Sequence, residues 1–141
     1  MNKTIVTLLI VVSFLLLSMG SAFADRGDLF DRPQRLNELM GNDVINRQGE
    51  DLGNLEDLIS GSDGNIEYMV VAIGGILGLG ARLVAIPVEA ASPTMTDEGR
   101  ISIDVQTAQL EGAPTFSRDN YPDFTDRQWQ QESRGYFQNA R

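Results

Sequence analysis

NIEYMVVAIGGILGLGARLVAIPVE, residues 65–89, joins two strongly apolar segments through a run of four glycines and three aliphatics. Residues 65–73 are rich in β-branched and aromatic side chains and are apolar on both faces toward their end, as in a central strand. Residues 81–89 repeat the pattern, and Pro87, which has no N–H to give a ladder, places that part at a sheet edge or a bulge. The glycine run between them has three possible uses. A phosphate-binding loop opens a helix and ends in Gly-Lys-Ser/Thr, whereas this run leads into another strand and carries no lysine. A membrane span needs about 20 apolar residues, and the stretch from Met69 to Ala81 is 13 residues long, with Glu67 and Arg82 beside it. A hairpin connection remains, in which glycine permits positive φ and close backbone approach. Ile76, Leu77 and Leu79 have no local reason to be apolar there, so they either cap the sheet or meet another chain.

The same grammar extends outward. On the N-terminal side, residues 61–64 (GSDG) form a turn, residues 51–60 a twisted or bulged strand around Gly53, and residues 43–46 a short strand. Leu36, Leu39 and Met40 share one helical turn that Gly41 closes. On the C-terminal side, residues 92–99 read as loop. Residues 100–106 alternate, with Ile101, Ile103 and Val105 inward and Ser102 and Asp104 outward. Thr107 caps one helical turn that Gly112 and Pro114 stop. The expected fold is all-β: a small, highly bent barrel of five to six short strands flanked by helical turns.

The start of the chain is of another kind. Lys3 gives a positive end, Ile5 to Leu17 an apolar core too short to span comfortably, and Ala22-Phe23-Ala24 a small-x-small cleavage site. Residues 1–24 are therefore expected to be a signal peptide cleaved after Ala24, leaving a periplasmic or secreted chain with no stable membrane insertion. That mature chain has no lysine, cysteine or histidine, which removes the usual general base, thiolate nucleophile and Schiff-base amine. The usual zinc, haem and iron–sulfur ligand sets go with them, and no cofactor or catalytic residue is expected. A formal charge of −9, one unit more negative without Lys3, disfavours nucleic acid as a partner. The carboxylate pairs Glu50-Asp51, Glu56-Asp57 and Asp97-Glu98 fall in or beside turns, as solvated charge does. Asp119, Asp123 and Asp126 lack the glycine and terminal glutamate of a calcium loop, so no metal site is expected.

Taken together, the Gly49/Gly53 turn and strand, the GG-x-LG-x-G loop, the strand Leu83-Val84-Ala85-Ile86-Pro87 and the closing Leu110…Ala113-Pro114 resemble the PRC-barrel family over residues 35–116. The resemblance implies the bent barrel shared by the cytoplasmic domain of the photosynthetic reaction centre H subunit and the C-terminal domain of a ribosome maturation factor. It also implies a scaffold or docking role, with no common catalytic set. The chain lacks the membrane helix of the one and the N-terminal domain of the other, so neither of their partners transfers. On this reading residues 25–34 are a polar linker and residues 117–141 an aromatic-rich extension.

That extension holds Tyr121, Phe124, Trp129, Tyr136 and Phe137. Thr125 as cap, Gln128 at the capping-box position and a Phe124–Trp129 staple predict a helix to about Arg134, ended by Gly135. Its rings either fold back on the barrel or recognise a partner, with arginine–ring contacts suiting both. The function expected is a non-enzymatic, exported module that binds a protein, another copy of itself included. Ile76, Leu77 and Leu79 form one candidate surface and Trp129, Tyr136 and Phe137 a second. The alternative is a small-ligand or cation-binding envelope protein that uses surface carboxylates.

Overall fold

A computed structural model describes residues 29–75 and 79–139. A 3-10 turn at Leu36–Glu38 precedes β1 (Asp43–Asn46), β2 (Asp51–Ser60), β3 (Ile66–Ile73) and β4 (Arg82–Pro87). There follow a one-turn helix α1 (Val88–Ala91), β5 (Thr94–Met95), β6 (Ile101–Ile103), α2 (Thr107–Gly112) and α3 (Arg127–Asn139). The six strands form one mixed sheet in the order β4-β3-β2-β1-β6-β5, antiparallel throughout except for the parallel pair β1 and β6. Among the described residues no strand pairing joins β4 to β5, so the sheet is open, and α3 makes the fold mostly sheet with short helices.

Bulges set the curvature. The β1–β2 register shifts between Val44 and Ile45, and the β2–β3 register shifts between Leu55 and Asp57 and again between Ile59 and Ser60. Each extra residue bends its strand and raises the local twist. Gly53 sits in this bent region at φ +137°, and a Cβ there would stand 2.1 Å from the Ala72 carbonyl oxygen. No side chain fits; the glycine is what allows β2 and β3 to approach.

The alternation of β3 and β4 divides the molecule into two apolar layers. Met69, Val71 and Ile73 with Val84 and Ile86 face the main core, which Val44, Leu52, Leu55, Ile101, Ile103, Val105, Leu110 and Phe137 complete. The intervening residues Tyr68, Val70, Leu83 and Ala85 face the other way, and Phe116, Tyr121, Phe124 and Trp129 of the C-terminal segment pack over them. A strand covered on both sides has to be apolar at every position, which accounts for the unbroken run in MVVAI. Leu29 and Phe30, in the middle of the segment read as linker, pack against the main core, and the Leu29 N–H donates to the Pro93 carbonyl at 2.8 Å.

Local expectations need several corrections. Residues 94–95, read as loop, pair antiparallel with β6. Ser102, expected outward, is buried, because β6 lies between β1 and β5 and Arg47 reaches across it to the serine hydroxyl at 3.1 Å. The cap of α2 is Gln106 rather than Thr107: its side chain and that of Gln109 bond each other's backbone N–H reciprocally. Asp126, not Thr125, caps α3, accepting from the backbone N–H of Gln128 at 2.8 Å. Thr125 instead donates its hydroxyl to Asp123 at 2.6 Å. Gly135 does not end the helix, which runs on to Asn139 because Phe137, two residues further, is buried in the core. Burial of a phenyl ring is worth about 1.5–3 kcal/mol, more than the about 1 kcal/mol that an interior glycine costs.

Candidate functional site

Two regions carry the candidate residues. The first is the β3–β4 connection, where Gly74, Gly75 and Gly80 all have positive φ. At Gly75 a Cβ would come within 2.8 Å of the Leu79 carbonyl and 2.9 Å of the Ala81 nitrogen, so the two limbs of the connection touch backbone to backbone. Leu79 stands out from this neck with 78% of its surface exposed, far more than Leu36 at 41% or Met95 at 40%. Ile76 and Leu77 lie outside the described residues.

The second region is the C-terminal segment. It begins as an added strand: the Leu83 N–H donates to the Phe116 carbonyl at 2.9 Å, and the Phe116 N–H to the Leu83 carbonyl at 3.0 Å. A turn over Ser117–Asn120 then brings Tyr121 edge-on to Phe116, their centroids 4.9 Å apart. Phe124 meets Trp129 at 4.9 Å and Tyr68 at 5.6 Å, so the staple expected from the sequence exists although the cap lies one residue later. Trp129 is half-buried against Tyr68 at 5.3 Å. Tyr136 is half-buried and donates its hydroxyl to the Gln109 carbonyl at 2.7 Å. Phe137 is 2% exposed and belongs to the main core. These three rings are brought to one helix and each is engaged by the chain itself, whereas Leu79 is 78% exposed.

Between this segment and the edge of β4 lies a cavity of about 310 Å³. Phe116, Tyr121, Trp129 and Phe137 wall it, Ala85 of β4 closes one side, and the carboxylate-bearing Glu132 stands at its exposed rim. Tyr121 is held above the ordinary phenol range, first by burial and then by the negative charges of Asp57 and Glu56.

Arginines tie the layers together. Arg118 forks onto both carboxylate oxygens of Glu56, at 2.5 and 2.9 Å, and holds that carboxyl below its usual range. Arg134 donates to Glu89 at 3.0 Å and to the Tyr68 hydroxyl at 3.4 Å, with its guanidinium carbon 5.7 Å from the Tyr68 ring centre. Arg47 reaches the hydroxyls of Thr94 and Ser102 and the carbonyls of Ser92 and Ser102. Glu50 accepts from the buried Asn46 at 2.5 Å and from Thr107 at 2.9 Å, and both bonds lower its pKa. Glu98 pairs with Arg100. Asp123 and Asp126 serve a turn and a helix end. Among the described residues no three His, Cys, Asp or Glu converge to hold a metal, and no helix is long and apolar enough to cross a membrane.

Sequence reasoning did not single out Phe116, Arg118 or Arg47. Phe116 carried a signal, as an aromatic two residues after the proline stop and before the aromatic run. The partners of the two arginines stand 62 and up to 55 residues away, and nothing local marks them.

No curated protein matches the chain. A family model described as PRC-barrel domain matches residues 34–110, more than half of the sequence, and it spans every strand of the sheet. The glycine-necked β3–β4 hairpin and the bulged β2 lie within that match, which ends inside α2, while the cavity's C-terminal wall lies beyond it. The chain belongs to the PRC-barrel family.

Proposed function

We propose that this chain is a non-enzymatic PRC-barrel module, exported by its N-terminal segment, that works by docking a protein, in the first instance a second copy of itself. The observation that carries the reading is Leu79, an aliphatic side chain 78% exposed on a hairpin whose two limbs meet closely at Gly75. Apolar surface held out in this way, continued in sequence by Ile76 and Leu77, is what interfaces use. The bulges of β1 and β2 favour a sheet that curls toward the family's bent barrel. Export rests on the signal-peptide grammar of residues 1–24, which lie outside the described residues. Processing there would deliver a chain starting at Asp25 to the periplasm or beyond.

The test is the molar mass of the purified chain by light scattering over a range of concentrations, beside Leu79→Asp. Association that rises with concentration in the parent and vanishes in the variant, with unchanged circular dichroism, supports docking through the hairpin. A parent that stays monomeric throughout removes self-docking. An intact-mass measurement on material recovered from the host reads the start of the chain, and an N-terminus other than Asp25 overturns the cleavage site.

A further inference from the structure

We propose that the cavity between β4 and the C-terminal segment is a binding site for a small organic cation, an alkylated ammonium. This site is separate from the hairpin and does not depend on docking. Its volume of about 310 Å³ is at the lower end for small-molecule sites, which fits a ligand of a few heavy atoms. Its walls favour positive charge. The π faces of Trp129, Tyr121 and Phe116 attract cations, most strongly when water is excluded. Glu132 supplies a carboxylate at the rim, and its only hydrogen bond among those described comes from Gln128, a neutral group. None of the residues lining the cavity is cationic. Arg118, whose charge acts on Tyr121, is bound to Glu56 through two hydrogen bonds.

The backbone adds an acceptor. Leu83 turns both its N–H and its carbonyl outward to Phe116, so Ala85, two residues on, turns its own groups the same way. In the continuing antiparallel register Ala85 faces Pro114, which has no N–H to offer. Ala85 and Pro114 both line the cavity, and this register leaves the Ala85 carbonyl without an N–H opposite it, while the Pro114 carbonyl is the acceptor it offers to the Ala85 N–H.

Trp129 is the only tryptophan in the chain and lines this cavity, so its fluorescence is a probe at the site. The purified chain would be titrated through the millimolar range with choline, and with 3,3-dimethylbutanol, its neutral isostere, at constant ionic strength. The expected result is a saturable change in Trp129 emission with choline, with the alcohol about tenfold weaker. Glu132→Gln, at an exposed position, should weaken choline about threefold while leaving the unliganded spectrum and melting temperature unchanged. Equal affinity for the alcohol would show an apolar hole with no preference for charge, and would overturn the proposal. So would an unchanged choline affinity in Glu132→Gln, or no saturable response to choline.

Discussion

At the scale of single residues, exposed arginines join parts of the sheet that the backbone ladder leaves weakly connected. Arg47 leaves the β1–β2 turn and bonds the short β5–β6 pair, including the carbonyl of Ser92, a non-glycine residue held at φ +42°. A planar guanidinium reaches these acceptors together; a lysine ammonium cannot. Arg47→Ala should therefore lower stability by about 2 kcal/mol, and Arg47→Lys should recover less than half of that in urea denaturation. Full recovery by lysine would mean that charge rather than the fork matters. Glu56 and Arg118 form the corresponding tie to the C-terminal segment. The Arg118 hydrogen bond depresses the Glu56 pKa in the folded chain, so the pair stabilises above the ordinary glutamate value of 4.5. Its contribution is lost as pH falls through the lowered value. Because both side chains are partly in solvent, the contribution is under about 1 kcal/mol. Glu56→Gln should flatten the acid limb of the stability profile and lose most of its effect below that limb. An acid limb unchanged by the substitution would assign acid sensitivity to other carboxylates.

At the scale of elements, α3 shows how a helix can override its own stop signal. Asp126 caps it and Phe137 anchors it, with Gly135 in an interior turn where an added Cβ would meet nothing within 4 Å. Gly135→Ala should stabilise the chain by about 0.5–1 kcal/mol, since it removes the backbone freedom of glycine from the unfolded state without a clash. Asp126→Ala should destabilise it by about 1 kcal/mol through the lost cap, and Thr125→Val by clearly less. Equal losses at 125 and 126 in thermal melts would return the cap to Thr125. Strands β1 to β4 and β6 were legible in the sequence because their apolar runs, alternation and glycine turns are local, whereas the two-residue β5 was read as loop. The helix ends were not legible, because Asp126 and Thr125 are adjacent and both able to cap, and only the docking of Phe137 decides how far the helix runs. Ser102 failed for the same reason: a serine in an alternating strand reads as outward until an arginine from 55 residues away covers it.

At the scale of the whole molecule, β3 and β4 are one sheet segment with two apolar faces, and the chain's own C-terminus covers the second. The PRC-barrel character was legible because its motifs lie along consecutive strands. The candidate residues were legible only as a set of apolar side chains without local purpose. Leu79 and Phe137 looked alike in that respect, and tertiary packing separates them: one is 78% exposed, the other 2%. Phe137 touches the layer formed by both sheet and helices, so truncating it leaves a cavity that a packed core cannot close, at a cost of about 3–5 kcal/mol. Leu79 has little surface to lose on unfolding, and Leu79→Ala should change stability by less than about 0.5 kcal/mol. Urea midpoints of the two variants, taken at a concentration where the parent is monomeric, measure the difference directly. A mild Phe137→Ala would mean that the C-terminal segment is loosely held and that its rings are free for a partner. A severe one, beside a neutral Leu79→Ala, means that the extension is part of the folded unit and that its Phe137 ring is not free for a protein partner.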